Sequence, residues 1–202
     1  NYQRIAADHV AHWRETGLNP FQSPDALKQN EDMTVSLVAA CTPAGGSILD
    51  VGCGMGDLLL RLGDDYVRTG IEIAAPYLEV ARDRGLTVLD EDVESLAYWD
   101  DVPGQVFDTV VATDILEHVL ALNAAVRGLL HVTKPGGYIV VRVPNMEPVS
   151  WLDEHNLGYQ FVHVRVLDEG TLRVLFGKIF GCEIIDTRLL GNSLHCVCRK
   201  PC

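Results

Sequence analysis

Residues 47–61 constrain the fold of this chain more than any other stretch. They begin with an apolar run that predicts a short strand, and leucines at helical spacing end them. Between the two lie three glycines at alternate positions, Gly52, Gly54 and Gly56. Glycine adopts positive φ and carries no side chain, so a ligand can lie against such a turn at the carboxyl end of the strand. We interpret the stretch as strand, ligand-binding turn and helix.

Hydrophobic periodicity downstream of residue 47 predicts alternating strands and helices. The predicted strands are 47–52, 67–73, 86–90, 107–113 and 137–143, and the predicted helices are 56–62, 75–84 and 119–131. Repeated β-α-β units of this length predict an α/β fold with a parallel sheet and helices on both faces. A helix at 168–176 and strands at 182–190 and 193–199 follow. Gly191-Asn192 between those strands indicates an antiparallel hairpin.

The length of 202 residues favours a single domain, 1–202. Within it, residues 1–44 predict two amphipathic helices, which either cover an edge of the sheet or form a lid over the ligand cleft. We expect residues 47–145 to form the ligand-binding core and residues 146–202 to form an acceptor-side segment and the hairpin. Neither a membrane span nor a signal peptide is indicated, so we expect a cytoplasmic protein.

The charge and the cysteines narrow the function classes further. A formal net charge of −12 disfavours a broad nucleic-acid surface, which needs clustered Lys and Arg. The six cysteines form no C-x-x-C pair, which favours reduced cysteines in a cytosolic protein. A zinc site could be drawn from His195, Cys196, Cys198 and Cys202, but their spacing matches no common zinc pattern.

The residues around the glycine turn discriminate between ligand classes. A nucleoside-triphosphate loop requires Gly-Lys-Ser/Thr, which does not follow here. A dinucleotide site requires G-x-G-x-x-G, but Gly56 comes one residue early and Asp57, in the expected glycine position, would repel a pyrophosphate. Asp50 before the turn and Glu72 at the end of the next strand instead suit a ligand with a cation and a ribose. Glu72 can accept two hydrogen bonds from a vicinal diol.

Five segments resemble, in the same order, the motifs of class I S-adenosylmethionine-dependent methyltransferases. They are residues 48–56, 70–73, 90–94, 107–114 and 134–138. The resemblance covers residues 47–200 and implies a Rossmann-like sheet of seven strands in the order 3-2-1-4-5-7-6, mostly parallel with an antiparallel last strand. It implies a methyltransferase with S-adenosyl-L-methionine as its cofactor.

The resemblance also implies the cofactor contacts. Asp50 holds the amino group of the methionine part, Glu72 holds the ribose, and Asp92 accepts a hydrogen bond from the adenine amino group. The other implied contacts come from Gly52, Cys53, Gly54, Ile73, Val93, Thr113 and Asp114.

Two histidines lie where the reaction should take place. His118 follows the fourth strand, and His163 lies in an irregular segment before a predicted helix. In both features the chain resembles ubiquinone-type small-molecule O-methyltransferases. Because a hydroxyl acceptor must lose its proton, His163 is the preferred base, and a loop histidine that only organises backbone is the alternative. For His118 a structural role is preferred to a catalytic one.

A divalent cation is an alternative to metal-free catalysis. Asp114, Glu117, His118 and His163 resemble the metal site of small-RNA 3′-terminal 2′-O-methyltransferases, except that those enzymes have Glu where Asp114 stands. Such a set would leave positions open for a substrate diol. Our prediction is no metal, with this set as the alternative.

The acceptor is expected to be a small molecule or a glycan. The segment that should shape its pocket contains rings and polar groups, namely Trp151, His155, Tyr159 and Arg165. The alternatives are metal-assisted 2′-O-methylation of RNA ends or a sugar diol, and a non-catalytic, cofactor-binding partner subunit.

Overall fold

Seven strands form one sheet in the order β3-β2-β1-β4-β5-β7-β6. The computed structural model describes residues 2–19, 23–96, 106–146 and 163–202. The strands are β1 Ser47–Val51, β2 Val67–Ile71, β3 Val88–Leu89, β4 Phe107–Thr113, β5 Thr133–Pro144, β6 Glu183–Leu190 and β7 Ser193–Arg199. The pairs from β3 through β5 are parallel, and β7 is antiparallel to both β5 and β6. The predicted fold class and strand order are confirmed.

Helices cover both faces of the sheet. They are α1 Tyr2–Thr16, α2 Pro24–Cys41, α3 Asp57–Leu62, α4 Ala75–Asp83, α5 Leu122–Val132 and α6 Glu169–Leu172. Successive strand residues point to opposite faces. Leu49 therefore packs in the core under α5, whereas Ile48 packs under α2 against Val38. Apolar side chains on both faces are what a covered parallel sheet requires.

Several element boundaries differ from the predictions. The strand predicted at 137–143 begins at Thr133, and the strand predicted at 67–73 ends at Ile71. β3 is shorter than 86–90 because it is an edge strand that pairs only with Gly70 and Ile71. The helix predicted at 119–131 begins at Leu122 because the residues before it form turns. The helix predicted at 168–176 begins as α6 and widens into a π-helical segment, Arg173–Ile179.

The two N-terminal helices have different positions. α2 begins at a Ser23 N-cap whose hydroxyl accepts a hydrogen bond from the Ala26 amide, and it lies on a face of the sheet, not on its edge. α1 packs on α4 through Ala6 and Val10, which lie close to Met55 of the glycine turn. Among the described residues, every helix is too short or too polar to cross a bilayer.

Candidate functional site

A cavity of about 580 Å³ opens at the carboxyl ends of β1, β4 and β5. Its wall includes the glycine turn (residues 52–56), the loop after β4 (residues 114–121) and residues of α1 and α2. The β6–β7 turn, residues 190–193, also contributes because β7 is antiparallel and brings its start to this end of the sheet. Ligands bind at this edge in open α/β sheets.

The glycine turn forms one side of this cavity. Gly52 has a φ of 69°, and a Cβ added to it would lie 2.0 Å from Cδ1 of Ile115. Gly54 has a φ of 54°, and a Cβ added to it would meet no atom within 4 Å. The first glycine therefore allows close packing with the loop after β4, and the second leaves its backbone beside open space.

The Glu72 carboxylate is hydrogen-bonded to the backbone of the glycine turn. Its Oε2 accepts a hydrogen bond from the Gly54 amide at 3.0 Å, and its Oε1 accepts one from the Ala74 amide at 2.8 Å. The side chain is only 2% exposed, and burial raises its pKa while the amide hydrogen bonds lower it. Glu72 is thus adjacent to the cavity but not in the wall that the described residues form.

The amino end of α1 covers the backbone next to Glu72. Gln3 donates from Nε2 to the Ile73 carbonyl at 2.7 Å, and its Oε1 accepts from the Ala75 amide at 3.0 Å. Tyr2 lies in the cavity wall, and burial, then the charge of Glu72, raises the pKa of its hydroxyl. The helix therefore lies over the strand end where the ribose was predicted to bind.

Asp50 lies in the cavity wall and is 2% exposed. Burial raises the pKa of its carboxyl to about 8, against the opposing effect of Arg142. Among the described residues, its Oδ1 has no hydrogen-bond partner. A buried carboxylate of this kind is stabilised by a cationic ligand group.

Asp92 and Val93 belong to a turn after β3, outside the wall that the described residues give the cavity. Oδ1 of Asp92 accepts a hydrogen bond from the Glu94 amide at 2.9 Å, and Val93 is buried. Glu94 in turn accepts from the Leu120 amide at 2.7 Å. The turn predicted to hold the adenine is therefore bonded to the loop after β4.

Thr113 ends β4 and Asp114 follows it, and both line the cavity. The Asp114 carboxylate, however, is paired with the buried Arg142, whose Nε and Nη2 donate to its two oxygens at 3.2 and 2.5 Å. Burial alone would lower the pKa of Arg142, but Asp114 raises it above its usual value. Asp114 is consequently not part of the ligand group that the structure assembles, which corrects the four-residue metal set.

Glu117, His118 and His163 come together although 45 residues separate the two histidines in sequence. One potential ligand atom from each lies within 4.8 Å of the others. The His118 and His163 rings are 4.6 Å apart between centroids at an interplanar angle of 73°. Glu117 is 2% exposed, and its Oε1 lies 3.8 Å from Nε2 of His118. Both histidines line the cavity.

The other predicted acceptor-side residues give a mixed result. Arg165 binds backbone carbonyls of the loop after β4 instead of lining the cavity. Trp151, His155 and Tyr159 lie outside the described residues.

Comparison with known proteins agrees with this geometry. A sequence profile described as a methyltransferase domain matches residues 25–187. The chain belongs to the class I S-adenosylmethionine-dependent methyltransferase family. Ubiquinone biosynthesis O-methyltransferase of Bordetella avium is 38% identical over 136 residues, which are 63% of this chain and 54% of that protein. The same enzyme of Albidiferax ferrireducens is 35% identical over 123 residues, 55% of this chain and 46% of that protein.

The methyltransferase fold extends over the whole chain. The solved structure of N-methyltransferase NodS from Bradyrhizobium japonicum WM9 in complex with S-adenosyl-L-homocysteine matches this chain with a TM-score of 0.72. The match covers 100% of this chain and 99% of NodS, at 15% sequence identity. The chain spans about half the length of the curated relatives it matches. The predicted family is thus confirmed, while the acceptor stays open.

Several residues that line the cavity were not singled out from the sequence. Arg142 was a detectable signal, because it is a lone charge in the apolar strand 139–143. His9 and Tyr77 had no such sequence signal, because their contact joins two helices. Nδ1 of His9 on α1 lies 2.7 Å from the hydroxyl of Tyr77 on α4. The Cys196 and Cys198 sulfurs lie 3.5 Å apart, but the described residues place no metal-ligand group there.

Proposed function

We propose that this chain transfers a methyl group from S-adenosyl-L-methionine to a hydroxyl of a small molecule or saccharide, and that it does so in the cytoplasm. The meeting of His118 and His163 in the same cavity wall as the glycine turn carries this proposal. A module that only binds the cofactor would not need two imidazoles, from distant segments, at that place. Relatives named as O-methyltransferases support a hydroxyl acceptor.

The residues present suit the cofactor. The buried Asp50, with an oxygen that lacks a partner among the described residues, suits the ammonium of the methionine part. The open space beside Gly54 leaves room for a ligand against the backbone. Glu72 lies at the end of β2 with both oxygens held by amides, so its carboxylate is already oriented. Ile73, Asp92 and Val93 are proposed for the adenine.

The chain's part in the reaction is alignment and proton removal. S-adenosyl-L-methionine, when bound, supplies an electrophilic methyl group on a sulfonium. The cavity must hold the acceptor hydroxyl in line with that group, which is the larger contribution in such transfers. His163 accepts the hydroxyl proton. Glu117 places a buried carboxylate oxygen 3.8 Å from Nε2 of His118, beside the two imidazoles.

The wall away from the glycine turn supports a polyhydroxylated acceptor. It presents amides and a hydroxyl from α2 and the β6–β7 turn, namely Gln29, Asn30, Asn192 and Ser193. Amides donate and accept hydrogen bonds, as sugar hydroxyls do. The formal charge of −12 argues against RNA as the acceptor.

Calorimetry and a methyl-transfer screen test the proposal. We expect S-adenosyl-L-methionine to bind and Glu72→Ala to abolish binding. Labelled cofactor is then offered with sugars, phenols, amines and RNA ends, and we expect label on hydroxyls of sugars or phenols. Failure to bind the cofactor would overturn the proposal. Binding without transfer to any acceptor would favour the partner-subunit alternative, and transfer to amines alone would exclude O-methylation.

A metal-assisted reaction is the second candidate, and the Glu117, His118 and His163 group favours it. One carboxylate and two imidazoles suit a divalent cation that keeps positions open for a vicinal diol. The cation would lower the pKa of a bound hydroxyl and so reduce the need for a base. Calorimetry with Mn²⁺, Co²⁺ and Zn²⁺ on the chelator-treated protein and on Glu117→Gln tests this role. Transfer that a chelator leaves unchanged would exclude it.

A further inference from the structure

The guanidinium of Arg165 binds three backbone carbonyls of the loop after β4. Nη1 donates to the Leu116 carbonyl at 3.0 Å and to the Val119 carbonyl at 2.5 Å, and Nη2 donates to the Leu120 carbonyl at 3.2 Å. These carbonyls flank Glu117 and His118 on both sides. The Arg165 side chain therefore links the two ends of the turn that contains Glu117 and His118.

The residues around Arg165 attach the same segment at further points. The Val164 amide donates to the Glu117 carbonyl at 2.9 Å, and the Leu167 carbonyl accepts from the Met146 amide at 2.9 Å. Leu167 is buried in the core. His163 thus stands at the beginning of a stretch that is fixed to the loop after β4 and to the end of β5.

We propose that Arg165 is a positioning residue. It binds the segment that contains His163 to the loop that contains His118, and so keeps the two imidazoles in contact. The catalytic meaning of this clamp depends on the function proposed above, but the placement of the rings does not. Arg165 lies two residues after His163, so its anchoring fixes the backbone from which that imidazole projects.

The chemistry of arginine suits this clamp. A planar guanidinium presents five donors in a fixed fork, whereas a lysine ammonium is a single flexible point charge. The carbonyls of Leu116, Val119 and Leu120 converge on this fork from one turn. The turn is also held from its other side, where Glu94 accepts from the Leu120 amide. Without the guanidinium, the Glu94 contact and the one hydrogen bond from the Val164 amide to the Glu117 carbonyl would remain between these segments and the loop.

The test compares Arg165→Ala and Arg165→Lys with Arg173→Ala as the matched control. Arg173 is exposed and pairs with Glu169 on α6, so its removal takes away one positive charge without affecting the loop. For each protein we measure cofactor affinity, kcat and KM on an acceptor that the screen identifies. We also record NMR spectra with ¹³C-labelled histidine Cε1. His118→Gln is then added to each background, and the shift of the His163 resonance is followed.

We expect Arg165→Ala to lower kcat by about 100-fold, the size of effect that a misplacement near 1 Å produces, with little change in cofactor affinity. Arg165→Lys should recover only part of the loss, and Arg173→Ala should match the wild type. His118→Gln should shift the His163 resonance in the wild type and in Arg173→Ala, because the rings are in contact, but not in Arg165→Ala.

Two results would overturn the proposal. One is a His163 resonance that still responds to His118→Gln when Arg165 is alanine; the other is full activity of Arg165→Ala. If Arg165→Ala does not fold, Arg165→Lys decides in its place through the same resonance. The NMR comparison needs no methyl transfer, so it separates failure of the clamp from failure of the proposed function.

Discussion

The Asp114 carboxylate accepts hydrogen bonds from Nε and Nη2 of Arg142 while its own backbone is left-handed, with a φ of 55°. The Asp114 amide also donates to the Arg142 carbonyl at 2.8 Å. Two contacts thus hold a strained residue at the point where β4 ends and the loop toward Glu117 and His118 begins. The pair sets the direction in which that loop leaves the sheet.

Asp114→Ala should destabilise the fold more than Asp114→Asn. Removing the partner of a buried charge costs about 3 kcal/mol, and both variants lose the ion pair. Asparagine tolerates left-handed backbone and keeps an oxygen for Arg142, whereas alanine adds about 1 kcal/mol of backbone strain. Urea unfolding of the two variants measures the difference. Equal free energies of unfolding would show that the backbone at residue 114 is not strained.

Asp50→Asn should stabilise the ligand-free protein at pH 8 and weaken cofactor binding. The pKa of Asp50 is raised to about 8, above its unfolded value of 3.8. The folded protein therefore keeps a proton that the unfolded chain releases, and the free energy of unfolding falls as pH rises from about 4 to about 8. Asparagine cannot release a proton, so the variant lacks this dependence.

Thermal unfolding of both proteins from pH 4 to pH 9 measures the stability effect of Asp50→Asn. Calorimetry should show cofactor affinity falling by about 10-fold to 100-fold, the loss of one charge-assisted hydrogen bond. For the wild type, affinity should rise with pH toward about 8, because the ionised carboxylate binds the ammonium. If the melting temperatures of the two proteins changed with pH in the same way, this account would be contradicted.

His163→Gln should lower kcat by about 100-fold to 10,000-fold without changing cofactor affinity, as loss of a general base does. His118→Gln should have a smaller effect on kcat, since His118 lies beside the proposed base. The control is His131→Gln, an exposed position at the end of α5. Steady-state kinetics at several pH values checks this, and unchanged activity of His163→Gln would remove it as base and as ligand.

Gly52→Ala and Gly54→Ala should separate stability from binding. Both residues have positive φ, so each substitution costs about 1 kcal/mol of strain. At Gly52 the new Cβ also collides with Ile115, and unfolding free energy should fall further. At Gly54 the Cβ enters open space beside the cavity, so cofactor affinity should fall instead. If Gly54→Ala binds the cofactor normally, the ligand does not lie against that backbone.

Gln3→Ala should speed cofactor release if α1 is a lid. Its amide makes two exposed hydrogen bonds with the backbone at Ile73 and Ala75, and their loss corresponds to about a fivefold change in rate. Trp13 on α1 packs beside Arg84 and can report the motion by stopped-flow fluorescence. Lys28→Ala on α2 serves as the control. An unchanged release rate would favour α1 as a fixed cover.

Local patterns predicted the strand order and the position of the glycine turn. The glycine turn and the strand periodicity depend on neighbouring residues, so a single sequence displays them. Asp50, Gly52 and Gly54 lie in the cavity wall, and their contacts with the cofactor stay a prediction. The predicted antiparallel hairpin also places the β6–β7 turn at the carboxyl end of β5.

The contacts that the sequence did not reveal are between distant segments. The pair of Asp114 with Arg142, which removes Asp114 from the ligand group, spans β4 and β5. The attachment of Arg165 to the loop after β4 bridges more than 40 residues and uses backbone carbonyls, which have no sequence signature. Both carboxylate oxygens of Glu72 accept hydrogen bonds from the Gly54 and Ala74 amides, which the sequence did not indicate. Such outcomes depend on packing, which periodicity does not encode.

The antiparallel direction of β7 has a consequence for how this enzyme family diversifies. It brings a short surface turn at Gly191-Asn192 into the cavity wall, where the Asn145 amide donates to the Asn192 carbonyl at 2.8 Å. Surface turns tolerate insertion and replacement far better than strands do. The shape of the cavity can therefore change, in evolution or by design, through substitutions at 190–193 that leave the glycine turn untouched.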